Sequence, residues 1–231
     1  METIPELFFI RIVLVLTMLA IGGILDVWKR EVHDYLWLGF GGAGIALLII
    51  EPFQMDVIYS TLFALIIAPI VLVIWRMGLF GGADAFALIA IAIIAPQFTL
   101  AENIVTPITT LSNAAVLFVV PLMINALRNM VSIIKHENIF EGFEDPTYKK
   151  ILASFLGYKA KNPKYGFSIE KNEDKIRKFV FSFHNADNAE FSEKPNTWIT
   201  PGIPYLLLII GGFLIQLAYG DIIIAGLNSA L

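Results

Sequence analysis

Two aspartates in this 231-residue chain sit where acids are costly. Asp84 opens an apolar stretch directly after Gly81-Gly82-Ala83, and Asp26 closes the first apolar run. A carboxylate at such a place has function as its default reading, with a partner to be named. As a pair, the two acids offer a specific chemistry. Two carboxylates sharing a site do not both ionise readily, so the pair holds one proton. The ionised member can act as general base on a water, while the protonated member polarises a peptide carbonyl. Such a pair titrates as a unit, so neither aspartate is assigned one role. The competing reading makes each a wetted interfacial acid. Asp26 has Lys29 and Arg30 beside it for an ordinary ion pair. Asp84 has no such neighbour, and the glycines before it permit close backbone approach.

The elements that must position these acids follow from composition. The chain is 57% hydrophobic and 16% charged, against about a quarter charged in soluble domains. This implies an all-α polytopic membrane protein. Six apolar segments stand out, at about 7–25, 36–50, 57–76, 84–97, 111–134 and 199–219. About 20 helical residues cross a hydrocarbon core, so the second and fourth are short. The first segment is read as a retained helix, because its leading charges are Glu2 and Glu6 and not a basic run.

Lysine and arginine set the orientation. Lys29, Arg30, Arg76, Arg128 and Lys135 flank one set of segment ends, and every other basic residue except Arg11 falls within 136–197. The loops 51–56 and 98–110 and the C-terminal tail hold none. Six crossings then place the basic side in the cytoplasm and both termini outside. Arg11 is expected to snorkel to the outer interface. Asp26 ends an out-to-in helix and Asp84 begins an in-to-out one, so topology puts both at the cytoplasmic side at similar depth.

The chain divides into 1–134 with the first five membrane helices, a cytoplasmic subdomain at 135–197, and 198–231 with the sixth. In the subdomain, 149–158 is read as a short helix. Lys178–His184 is read as a strand with Phe179, Phe181 and Phe183 on one face, pairing with Tyr165–Ile169 across a charged turn at 171–175. Its charges are read as mostly a solvated face, and Glu141, Glu144 and Asp145 could attract a basic peptide. The last crossing opens on Trp198-Ile199-Thr200-Pro201-Gly202-Ile203-Pro204-Tyr205, which the prolines keep extended. Trp198 and Tyr205 are read as interface aromatics. Glu51, Asp56, Glu102 and Asp221 are read as solvated charges on the outer side.

The chain has no cysteine, which removes disulfides and thiolate metal sites. The histidines His33, His136 and His184 are scattered and suggest no metal site. Nothing in the pattern suggests nucleic-acid binding, and no cofactor is expected.

Gly81-Gly82-Ala83-Asp84 resembles the motif of the GxGD intramembrane aspartyl proteases. Asp26-Val27-Trp28-Lys29-Arg30-Glu31-Val32-His33-Asp34 resembles the first-aspartate segment of type IV prepilin peptidases, and the archaeal preflagellin peptidases are the nearest likeness. Thr200-Pro201-Gly202-Ile203-Pro204 looks like that family's approach to its last helix. The resemblance spans most of the chain as order and spacing of segments. It implies an aspartyl endopeptidase with Asp26 and Asp84 catalytic and Gly81, Gly82, Ala83, Pro201 and Pro204 in support. It also implies a partner, an archaellin or pilin-like precursor whose short basic leader is removed at the cytoplasmic face of the cell membrane. The absence of Cys-x-x-Cys pairs favours the branch without a methyltransferase region.

Three departures stand out. Ala83 replaces the second glycine of the strict motif, His33-Asp34 stand where bacterial relatives often have Pro-Asn, and Phe86 stands near where a lysine often follows. Two rivals are weighed. A presenilin or signal-peptide-peptidase-like protease usually has more crossings and a tyrosine before its first aspartate, where this chain has Leu25. A proton-coupled transporter would use the acids as a relay, but the chain shows no internal repeat.

Overall fold

The computed structural model describes residues 5–50, 55–173, 176–181 and 191–230. The chain divides into two compact units, residues 1–117 with 204–231 and residues 118–203. The first is helical. It contains α1 (Pro5–Lys29), α2 (Asp34–Ile50), α3 (Met55–Ala64), α4 (Ile67–Arg76), α5 (Gly82–Ile94), α6 (Thr109–Leu117), α9 (Tyr205–Tyr219) and α10 (Ile222–Ala230). The second contains α7 (Val119–Ile134), α8 (Thr147–Leu156) and five short strands.

Leu7–Lys29, Met55–Arg76 and Thr109–Ile134 are long and apolar enough to cross a membrane. α9 and α10, bent by 48° at their junction, qualify together, while α2 and α5 are shorter apolar helices. By length and composition this gives three or four candidate spans among the described residues. The interruptions within the longer spans have a common cause. The α3–α4 break falls at residues 65–66, four positions before Pro69, and the α6–α7 break follows Leu117, four before Pro121. A proline cannot donate to the carbonyl four residues back, and its ring crowds that carbonyl.

α5 is the central element of the first unit. It packs against α1, α2, α3, α4 and α9. Its inward residues are Ala85, Ala87, Leu88, Ala90, Ile91, Ala92 and Ile94, all buried. The run of alanines keeps the helix slim, so five neighbours can reach it. Other close approaches depend on glycine. A Cβ on Gly44 of α2 would lie 3.2 Å from the Ile94 Cα, and one on Gly212 of α9 would lie 2.5 Å from the Thr110 carbonyl oxygen of α6.

The end of α5 opposite Asp84 corrects one expectation. Arg11 does not reach out to an interface. It is fully buried, and its Nη1 donates to the Ile94 carbonyl at 2.7 Å. The last carbonyls of a helix lack intrahelical donors and carry partial negative charge, so a cation from α1 is stabilised there. Asp221 is likewise buried and not a solvated end. Its Oδ2 accepts from the Thr109 and Ser112 hydroxyls at 3.0 and 3.1 Å, and its Oδ1 accepts the amides of Ile223 and Ile224. It therefore caps the start of α10 and ties it to α6.

In the second unit, β1 (Tyr158–Ala160), β5 (Thr197–Pro201) and β2 (Gly166–Ser168) form an antiparallel sheet with β5 central. β3 (Glu170–Glu173) and β4 (Ile176–Phe179) form a separate antiparallel pair. The short helix expected at 149–158 is α8. The expected pairing is corrected: Gly166–Ser168 joins β5, and the partner of β4 is Glu170–Glu173. Gly166 explains the exchange, because a Cβ there would lie 2.4 Å from the Ile199 side chain of β5. Phe179 and Phe181 do stack on each other, while Phe183, His184, Lys175 and Glu51 lie outside the described residues. Trp198 is not an interface aromatic. It is fully buried beside Phe140, Phe143 and Phe179, and its indole N–H donates to the Ile139 carbonyl. Asp145 is buried too, accepting the Phe179 amide at 2.7 Å and pairing with Lys149, so it is committed to the fold and not to a passing peptide.

Candidate functional site

Asp26 lies in the last turn of α1, half-buried. The helix ends three residues later, where Arg30 takes a left-handed conformation (φ 58°) and returns its amide to the Asp26 carbonyl. One turn before Asp26, Gly22 and Gly23 let α1 come close to two neighbours. A Cβ on Gly22 would lie 2.9 Å from the Trp37 ring of α2, and one on Gly23 would lie 2.7 Å from the Ile210 side chain of α9. The aspartate is thus delivered to the start of α9. Its carboxylate takes a backbone hydrogen bond from Leu206 and stands in the field of the Arg30 guanidinium.

Asp84 is the third residue of α5 and is buried. Gly81 precedes the helix in an extended conformation, and its amide donates back to the Asp84 carboxylate at 3.0 Å. This is the acidic half of a capping box: an acid in the first turn closes onto the residue before the helix. Negative charge is also favoured at a helix N-terminus. Gly82 packs tightly, since a Cβ there would lie 3.2 Å from the Trp75 indole. Ala83 is half-buried and packs against the core of the first unit.

Tyr205 is the first residue of α9. Its ring stacks on Phe80 with centroids 5.7 Å apart, and its phenol stands in the field of the Asp84 carboxylate. Asp84 thus acts electrostatically on Tyr205 and Asp26 faces the Leu206 amide, two consecutive residues at the start of α9. Reading Tyr205 as an interface aromatic missed this, and no local signal marked it. Pro204 precedes α9 in extended geometry and has no amide to satisfy. Pro201, in the second unit, ends β5 opposite Gly166. His33 is exposed and follows α1 in the short link to α2. Among the described residues, no cluster of three histidine or acidic side chains could hold a metal ion.

No family model matches the chain. Two curated proteins do align with it along nearly their full lengths. The preflagellin peptidase of Methanocaldococcus jannaschii is 26% identical over 223 residues, covering 89% of this chain and 92% of that protein. The preflagellin peptidase of Methanococcus maripaludis is 26% identical over 218 residues, covering 88% and 92%. The chain is a distant homologue of the preflagellin peptidases. Coverage of this extent takes in most of both units.

Proposed function

We propose that the chain is a membrane-embedded aspartyl endopeptidase that removes the short basic leader of an archaellin or pilin-like precursor. In this reading α2 and α5 are short crossings, which with the four longer elements makes six. The basic residues lie in the cytoplasm, both termini lie outside, and the cut is made at the cytoplasmic face of the cell membrane. The observation that supports the reading is that both acids act on the start of α9, Asp26 at the Leu206 amide and Asp84 on the Tyr205 phenol. The likeness to two preflagellin peptidases supports the substrate class.

The chemistry follows from the pair. One proton is shared between Asp26 and Asp84. The ionised carboxylate takes a proton from water as the oxygen attacks the scissile carbonyl, and the protonated one donates to the carbonyl oxygen. Collapse of the tetrahedral intermediate breaks the C–N bond, with the proton returned to the leaving amine. The Gly81 amide donates to the Asp84 carboxylate and the Leu206 amide to that of Asp26. Such preset donors fix orientation before substrate arrives.

The test uses purified protein in detergent with a precursor carrying its leader. The unaltered protein is expected to shorten the precursor by the leader. Asp26→Asn and Asp84→Asn are each expected to lower cleavage by at least about a hundredfold, the scale of losing a general acid or base. Substantial cleavage by either variant rejects the pair.

A further inference from the structure

α8 is amphipathic with its faces reversed for a helix surrounded by water. Tyr148, Ile151, Leu152 and Phe155 recur at i, i+3, i+4 and i+7 and form one stripe, with exposures of 67, 55, 44 and 39%. The opposite face is packed on the unit. Ala153 is fully buried there, Lys149 pairs with Asp145 at 3.2 Å, and the Lys150 ammonium lies 6.0 Å from the Phe140 ring centroid. A water-facing helix would turn its apolar stripe inward. A contiguous row of large apolar side chains facing outward marks an interaction surface.

The attachment of α8 says what covers that surface. Its C-terminal carbonyls, which have no intrahelical donors, are taken up by two asparagines of α7. Asn125 Nδ2 donates to the Phe155 carbonyl at 3.2 Å, and Asn129 Nδ2 donates to those of Ser154 and Gly157 at 2.9 and 2.7 Å. α7 is the later part of the apolar span Thr109–Ile134. Asn129 lies five residues before its end, about 8 Å along the axis. At this level α7 itself exposes Ile124, Leu127 and Val131. Arg128, stacked 3.6 Å over the Tyr158 ring, marks the polar edge of the same level. The α8 stripe is thus continuous in depth with the exposed apolar surface of α7.

We propose that α8 is an interfacial helix whose stripe lies in the headgroup–acyl boundary of the bilayer that α7 crosses. The proposal rests on the reading that Thr109–Ile134 spans a membrane. Helices of this kind bind by apolar area buried at the interface. Its consequence is to hold the β-sheet unit against the membrane surface.

The chain has no cysteine, so single-cysteine variants of the full chain give one label each without background. Spin labels at Ile151→Cys and Phe155→Cys are read in vesicles of mixed zwitterionic and anionic phospholipid, with Leu127→Cys as the span control and Lys161→Cys as the water control. Thermal transitions of the labelled proteins check folding. Labels on the stripe are expected to collide more with dissolved oxygen than with a water-soluble nickel chelate, as Leu127→Cys does, while Lys161→Cys shows the inverse. If Ile151→Cys and Phe155→Cys behave like Lys161→Cys while Leu127→Cys reports lipid, the interfacial helix is rejected and the span stands. Exclusion of both reagents from the stripe means that protein covers it, which also rejects the proposal. If Leu127→Cys reports water, the membrane reading fails and this inference with it.

Discussion

Asp26 does two jobs in the proposed site, and they are separable. Leu206 is the second residue of α9, and its amide has no carbonyl within the helix to accept it. The Asp26 carboxylate, reaching across from α1, supplies one. Asparagine keeps an oxygen acceptor at that position and alanine does not. Asp26→Asn should therefore retain more thermal stability than Asp26→Ala, by about 1 kcal/mol, the usual worth of a capping acceptor. Both should be inactive. Equal melting temperatures in detergent would show that the Leu206 bond contributes nothing. Arg11 makes a second residue-scale case. Arg11→Met keeps length and removes the donor to the Ile94 carbonyl, leaving a buried acceptor unsatisfied at a cost of about 1–3 kcal/mol. A lower melting temperature is expected, and an unchanged or higher one would mean that burying the guanidinium offsets its hydrogen bond. These residues also show what a sequence can and cannot tell. The burial of Asp84 at a helix start was legible because glycines and an acid at an apolar boundary are local signals. The place of Tyr205 in the field of Asp84, the burial of Arg11 and the capping role of Asp221 were not. Each depends on which helix lies against which, and residue type alone favoured snorkelling, wetting and the interface.

Among the helices, close approach is set by a few glycines whose surroundings differ sharply. Glycine inside a helix ordinarily costs about 0.5–1 kcal/mol relative to alanine. At Gly42 of α2 an added Cβ meets nothing within 4 Å, so Gly42→Ala should stabilise by up to that amount. At Gly212 the same Cβ would lie 2.5 Å from the Thr110 carbonyl oxygen and 2.8 Å from the Ala114 amide nitrogen, both backbone atoms of α6 that cannot swing aside. Gly212→Ala should reverse the sign and destabilise by about 1–3 kcal/mol, the scale of overpacking. Melting the two variants side by side checks this, and a stabilised Gly212→Ala would mean that α6 and α9 separate readily. Elements themselves were largely legible: apolar runs become helices, and α8 lies where a short helix was expected. Strand partnership was not. Tyr165–Ile169 and Thr197–Pro201 are about 30 residues apart, and nothing local states that the smallness of Gly166 matches the Ile199 side chain. The proline-rich stretch read as an extended lead-in to a helix is extended because it is also the central strand of a sheet.

At the scale of the molecule, the two ends of α5 carry opposite roles. Within the first unit α1 and α5 pack together, with Arg11 held at the Ile94 end of α5. Fifteen residues of α1 separate Arg11 from Asp26, about 22 Å, and ten residues of α5 separate Ile94 from Asp84, about 15 Å. The guanidinium stem spans several ångströms of that difference, so both acids fall at the end of the bundle remote from Arg11. A bundle with one structural end and one acidic end has a defined polarity, and the proposed reaction requires the acidic end at the cytoplasm. The charge pattern predicts the same: basic residues crowd into 136–197 and are absent from 98–110. Glu102 and Lys161 are both exposed and stand on the two sides of that asymmetry. With no native cysteine, Glu102→Cys and Lys161→Cys each offer one thiol. A membrane-impermeant maleimide added to intact cells should label Glu102→Cys and spare Lys161→Cys until the cells are lysed. The inverse pattern would put Asp26 and Asp84 on the outer face. That would leave a possible peptidase site intact but remove it from the side on which a precursor is made, and cleavage of a leader before export would no longer be a tenable role.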